Sequence, residues 1–208
     1  MFVGIISSNV NTRTGFSTPA HCLWQAHKSK ITERGIIRVA KKEAPKIMTE
    51  RLILRPMAEQ DIPSMLRMFN NDEVREFLGG HPPRDKHSML KSVRGRQETQ
   101  WAVMLKGSDE YIGEVHVPNI VEGYLGEIGY LFLREYWGSG YAQEAVHAMI
   151  EHCKNALQLK RLYAHVDVRN VRSKKLLEKL GFQLIAVLPE ADMGGRVADI
   201  AYYTRVIS

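Results

Sequence analysis

Trp137-Gly138-Ser139-Gly140-Tyr141-Ala142 is the stretch of this 208-residue chain best suited to hold an anion. A strand pattern precedes it and an amphipathic helix follows, so the turn exposes the first N–H groups of that helix with no bulky side chain in the way. The helix dipole favours negative charge there, and a turn of this kind cradles a pyrophosphate. No Gly-Lys-Ser/Thr follows, which excludes a Walker loop, and the third glycine of a dinucleotide fingerprint is replaced by Gln143. Thirty residues on, Asn170 and Ser173 place an amide and a hydroxyl three residues apart at the start of another helix. Asn170 suits simple helix capping as well as ligand binding. Glu114 and Glu127, on neighbouring strands, are the carboxylates positioned to take a proton. The eight histidines show no paired ligand spacing, so no metal site is expected.

Several elements must hold these groups. Leu52 to Leu54 reads as a short strand closed by Pro56, and Ile62, Met65, Leu66 and Phe69 recur at helical spacing, followed by Val74, Phe77 and Leu78. Asp85 is placed to cap a polar helix reaching about Gln97. Strands are expected over 101–105, 111–117 and 125–133, each bounded by turn residues. After the glycine turn, Ala142, Ala145, Val146, Met149, Ile150 and Cys153 form one helical stripe. A strand over 162–168, a helix over 173–180 stopped by Gly181, and two strands over 182–188 and 198–206 around Gly194-Gly195 complete the pattern. Strands and helices interleave without a strict βαβ repeat, which argues a mixed sheet with helices on its faces.

Charge separates this body from what precedes it. Residues 1–46 hold eight basic and two acidic side chains, whereas the remaining 162 residues hold 21 of each, so the net +6 belongs to the leader. A neutral body gives no reason to expect a nucleic-acid partner. No stretch is long and apolar enough to span a bilayer, and two cysteines, Cys22 and Cys153, support neither a disulfide framework nor a zinc site. A reducing, cytoplasmic setting is expected. The leader has no sustained period and is expected to be poorly ordered; patterned sequence begins near residue 47, with Met48 a candidate natural start.

With the glycine turn and the Asn170 helix both present, residues 48–206 resemble the GNAT superfamily of N-acetyltransferases, most closely the branch that acetylates N-terminal amines of ribosomal proteins. The resemblance rests on Thr49-Glu50-Arg51-Leu52-Ile53-Leu54-Arg55, Gly126-Glu127-Ile128-Gly129-Tyr130, Tyr136 to Ala145, and Asn170-x-x-Ser173 followed by Glu178-Lys179-Leu180-Gly181-Phe182. It implies a mixed α+β fold: a mostly antiparallel sheet of six or seven strands, helices on both faces, and a splayed parallel pair. Acetyl-CoA would lie in the splay, its pantetheine arm against the backbone of Leu131, Phe132 and Leu133 and its pyrophosphate on Trp137, Gly138, Ser139, Gly140, Tyr141 and Ala142. Asn170 would bind the arm, Ser173 would approach the sulfur, and a backbone N–H of the 131–133 strand would meet the oxyanion.

Two positions depart from the family pattern. Glu135 stands first in the pyrophosphate motif, and Leu177 occupies the place of the tyrosine that protonates the leaving thiolate in many members. Ser173 then becomes the candidate donor to sulfur, with Glu127 or Glu114 as base. The implied reaction is direct transfer to a primary amine, foremost a protein N-terminus. A small amine such as an aminoglycoside or polyamine, and a non-catalytic acyl-CoA sensor, are the rivals. The loops 78–86 and 119–125 would choose the acceptor, and the protein would act as a monomer or homodimer away from membranes.

Overall fold

The computed structural model describes residues 2–3, 44–78, 84–96, 99–121, 123–192 and 196–208. The Gly194-Gly195 turn, parts of both acceptor loops (79–83 and 122) and most of the leader lie outside the described residues. Ten strands are found among those described. Three short strands come first: β1 (Phe2–Val3) and β2 (Ile47–Met48), at the two edges of their sheet, and β3 (Leu52–Pro56) inside β2. Three helices follow, α1 (Ile62–Phe69), α2 (Asp72–Arg75) and α3 (Lys86–Arg96), the last capped as expected by Asp85, whose carboxylate accepts from the Ser88 N–H at 2.7 Å.

The central strands are β4 (Gln100–Leu105), β5 (Tyr111–His116), β6 (Leu125–Glu127) and β7 (Gly129–Phe132). Beyond the glycine turn come α4 (Tyr141–Asn155), β8 (Arg161–Asp167), α5 (Val171–Lys179), β9 (Gln183–Asp192) and β10 (Val197–Val206). They form a six-stranded antiparallel sheet, β1-β7-β5-β4-β3-β2, and a four-stranded sheet, β6-β8-β10-β9, in which β6 and β8 run parallel.

The two sheets are joined where the single strand expected over 125–133 is interrupted. Up to Glu127 the chain pairs with β8, and the Ile128 N–H still reaches the Tyr163 carbonyl at 2.9 Å; from Gly129 onward it pairs with β5 instead. An apolar run reads as one strand because periodicity cannot register a change of partner. The consequence is a gap between β7 and β8 that opens beyond Ile128. Counting β6 and β7 as one interrupted strand and leaving β1 and β2 aside, the sheet has the seven strands the sequence implied.

Each face of the sheet is covered by helices. On one, α4 buries Ala142, Ala145, Val146, Met149, Ile150 and Cys153, the expected stripe in full, against Trp101, Val103, Val115, Tyr130 and Phe132. Fully burying a side chain the size of Val146, Met149 or Ile150 contributes about 1.5–3 kcal/mol. Leu176 and Leu177 of α5 join this core, and Gly181 ends the helix at φ 78°, the left-handed conformation expected of a glycine stop. On the other face α1 and α3 bury Met65, Met68, Met89 and Val93 against Ala102, Met104 and Leu131.

The start of the packed body is tied down. Ala44 is buried in the larger core, and the Trp101 indole N–H donates to the Pro45 carbonyl at 3.0 Å. Thr49 and Arg51 both bind Glu144 in the first turn of α4: the Thr49 hydroxyl at 2.6 Å and the Arg51 guanidinium at 2.7 Å. The Thr-Glu-Arg motif thus fixes the helix that opens at the glycine turn.

Candidate functional site

The glycine turn lies directly after β7, at the mouth of the gap. Gly138 and Gly140 take φ of 83° and 81°, a region side chains resist, and Gly140 is the N-cap of α4 with no side-chain cap. The first amides of α4 are therefore left for a ligand. A Cβ built on Gly138 meets nothing within 4 Å, so the space in front of the turn is open. Arginines surround it: Arg51 donates to the Ser139 carbonyl at 3.0 Å and lies 4.5 Å over the Tyr141 ring, while Arg134 and Arg172 lie 5.0 and 5.3 Å from the Trp137 ring centroid. Glu135 does not oppose an anion here, because it pairs with Arg67 at 3.1 Å.

Strand pairing decides which backbone groups face the gap. The Leu133 N–H donates to the Ile112 carbonyl, so in this antiparallel ladder Leu133, Leu131 and Gly129 bond to β5 while Phe132 and Tyr130 turn their N–H and C=O the other way. Of the three residues 131–133, Phe132 alone presents its N–H to the gap. Its carbonyl takes the Trp137 indole N–H at 2.8 Å, which ties the glycine turn to the strand. In the structure that edge of β7 is paired with β1, Phe2 opposite Leu131 and Val3 opposite Tyr130, so β1 holds the edge along which a pantetheine arm would have to run.

At the closed end of the gap lies a buried polar cluster. Glu127 is 2% exposed; its Oε2 accepts from Asn119 at 2.7 Å and from the Tyr163 hydroxyl at 3.2 Å, and its Oε1 is 3.4 Å from His165 Nδ1. Burial pushes the carboxyl up to about 7, the two hydrogen bonds offsetting only part of that effect. Burial above all, with the His116 imidazole nearby, pushes His165 down to about 3, so it is neutral. On the facing strand, Glu114 Oε1 is 3.7 Å from His116 Nδ1, and the Tyr111 hydroxyl donates to Glu114 at 3.4 Å. Two carboxylate–imidazole pairs thus stand near the closed end, Glu127–His165 on β6 and β8 and Glu114–His116 on β5, the strand behind β7.

The other expected residues sit above α5. Asn170 caps that helix, its Oδ1 accepting from the Ser173 N–H at 3.1 Å, and both side chains are buried. The Tyr130 hydroxyl donates to the Ser173 carbonyl at 3.4 Å, linking β7 to the α5 start across the gap. Leu177 is fully buried and apolar, so no acid stands in its place. Cys153 is buried with its thiol pushed up to about 12, which leaves it unsuited to be a nucleophile.

A parallel pair that splays beside a glycine turn opening a helix is the arrangement that decides the comparison with known proteins. The family model for the acetyltransferase (GNAT) domain matches residues 51–183. The chain belongs to the GNAT acetyltransferases. It is 32% identical over 168 residues to an uncharacterized N-acetyltransferase, p20, of Bacillus licheniformis, covering 76% of this chain and 94% of that protein. Its fold is similar to a GNAT-family acetyltransferase from Bacillus anthracis, with a TM-score of 0.73 at 21% identity over 78% of this chain and 99% of the other. It is also similar to the Salmonella typhimurium acetyltransferase that modifies the N-terminal serine of ribosomal protein L7/L12, with a TM-score of 0.68 at 20% identity over 79% and 100% of the two chains.

In this acetyltransferase the residues expected from sequence divide into four places. Trp137 to Ala142 form the mouth, Leu131 to Leu133 one wall, and Asn170 with Ser173 the helix start across from it. Glu127 with His165, and Glu114 with His116, stand near the closed end. The histidines, with Asn119 and Tyr163, are what sequence reasoning missed. Period-two alternation held the signal, since Glu114 and His116 share one face of β5, as Tyr163 and His165 do of β8. Their meeting across the gap depends on the interruption at Ile128.

Proposed function

We infer that this acetyltransferase moves the acetyl group of acetyl-CoA directly to a primary amine at a protein N-terminus, within a ternary complex. The observation that carries the reading is Glu127: a carboxyl poised near neutrality at the closed end of the gap whose mouth is an uncapped, arginine-rimmed helix start. The thioester supplies the activated acetyl carbon. Glu127 takes the proton of the attacking amine, because a carboxylate with its pKa near the working pH is an effective base. The Phe132 N–H faces the developing oxyanion. As the carbon–sulfur bond breaks, the Ser173 hydroxyl donates a hydrogen bond to sulfur, and solvent protonates the thiolate, which with a pKa near 8.5 needs little help. The role of the Salmonella protein on a ribosomal N-terminus supports a peptide acceptor.

Release of CoA thiol across unblocked peptides, aminoglycosides and polyamines tests this. Turnover with peptides is the expected result. Turnover confined to a small amine would move the acceptor assignment, and acetyl-CoA binding without any release would make the protein a sensor.

A further inference from the structure

His116 stands where the gap begins. It is the register partner of Gly129, the first residue of β7 to part from β8, and a Cβ on Gly129 would fall 1.9 Å from its Nε2. The imidazole therefore takes the space a side chain at 129 would fill. His116 is 4% exposed, and neither of its ring nitrogens has a hydrogen-bond partner. Its neighbour across the ladder on β4 is Gln100, 3% exposed, whose Oε1 also lacks a partner. Two adjacent buried side chains thus leave Gln100 Oε1 and His116 Nε2 unanswered, while His116 Nδ1 has only Glu114 Oε1 at 3.7 Å, beyond hydrogen-bond reach. Unanswered buried polar groups are costly in a finished fold and call for a reason.

A lone amine would be served by Glu127 and would leave Gln100 and His116 as they are. A peptide group next to that amine offers one N–H and one C=O, the complement of what these two lack. Resting on the reading of Glu127 as the base, we propose that Gln100 and His116 form an acceptor subsite that binds the first peptide group behind the reacting amine, Gln100 Oε1 accepting its N–H and the His116 ring N–H donating to its carbonyl. They set specificity for peptides over simple amines.

The test compares kcat/KM for an unblocked pentapeptide beginning with serine with that for n-pentylamine, in the full chain. Gln100→Leu and His116→Leu should each lower the peptide-to-amine ratio about ten- to a hundred-fold, while His116→Gln, which keeps a donor and an acceptor near Nε2, should restore most of it. Gln100→Leu should also raise the melting temperature without substrate, since an unanswered polar atom has been removed. A ratio left unchanged by both leucine variants, or a wild-type protein that acetylates pentylamine and not the peptide, overturns the subsite while the acetyltransfer reading stands. Failure of every amine to release thiol overturns that reading, and the subsite with it.

Discussion

Glu127 owes its behaviour to being dry and only partly compensated, and this sets two pH dependences of opposite sign. The base form of a carboxyl titrating at about 7 grows through neutrality, so kcat/KM should climb with pH and level off above about 8. Glu127→Gln should erase that limb and lower kcat about 10²- to 10⁴-fold, measured as a pH–rate profile. Stability runs the other way. A folded-state pKa above the ordinary 4.5 means the native state prefers the protonated carboxyl; the contribution is complete below about 4.5 and is lost as pH rises through about 7. The glutamine variant should therefore gain more in melting temperature over wild type at pH 8 than at pH 5. His165, neutral in the fold but titrating when unfolded, adds its own pH dependence, but adds it equally to both proteins and so drops out of this comparison.

Among elements, the glycine turn offers the cleanest test of ligand binding. Gly138→Ala places a methyl group where nothing of the protein lies within 4 Å, and the left-handed φ costs about 1–2 kcal/mol, small against the stability of a domain this size. The variant should fold, yet titration calorimetry should show acetyl-CoA affinity lowered at least about tenfold, since the methyl enters the space before the α4 amides. Unchanged affinity would move the anion elsewhere. This turn and α4 were legible in the sequence because both are local: a 3.6-residue stripe and two glycines need no distant partner to be recognised. The break at Ile128 was not legible, because Leu125 to Leu133 keeps its strand character while it exchanges β8 for β5. For the same reason Glu114 and Glu127 could be named as carboxylates but not as members of one cluster, and the histidines between them could not be named at all.

For the whole molecule the question is where the packed body starts. Ala44, the Pro45 carbonyl and the Ile47 side chain all lie against the core that holds Trp101, so a protein beginning at Met48 gives up all three and leaves the buried indole N–H without its acceptor. The lost bond costs about 1–3 kcal/mol. In differential scanning calorimetry the Met48 start should melt roughly 4–10 °C below an Ala44 start, on the usual scale of a few degrees per kcal/mol. Equal melting temperatures would show that these residues contribute nothing. Among the described residues the far edge of the molecule has no such cover: β9 is a ten-residue edge strand with Leu184, Ile185 and Val187 exposed, the kind of edge that recruits further strands. Trp101 has an optical consequence as well. Its ring is 1% exposed, with His152 edge-on at 5.6 Å and the Pro45 carbonyl closing its polar end. In a protein with Trp24 and Trp137 replaced by phenylalanine, the remaining indole emits at the blue end of its range while the segment from Ala44 stays docked, and its emission reddens as water reaches the N–H. Detachment of that segment is then visible as colour, in a domain that is otherwise still folded.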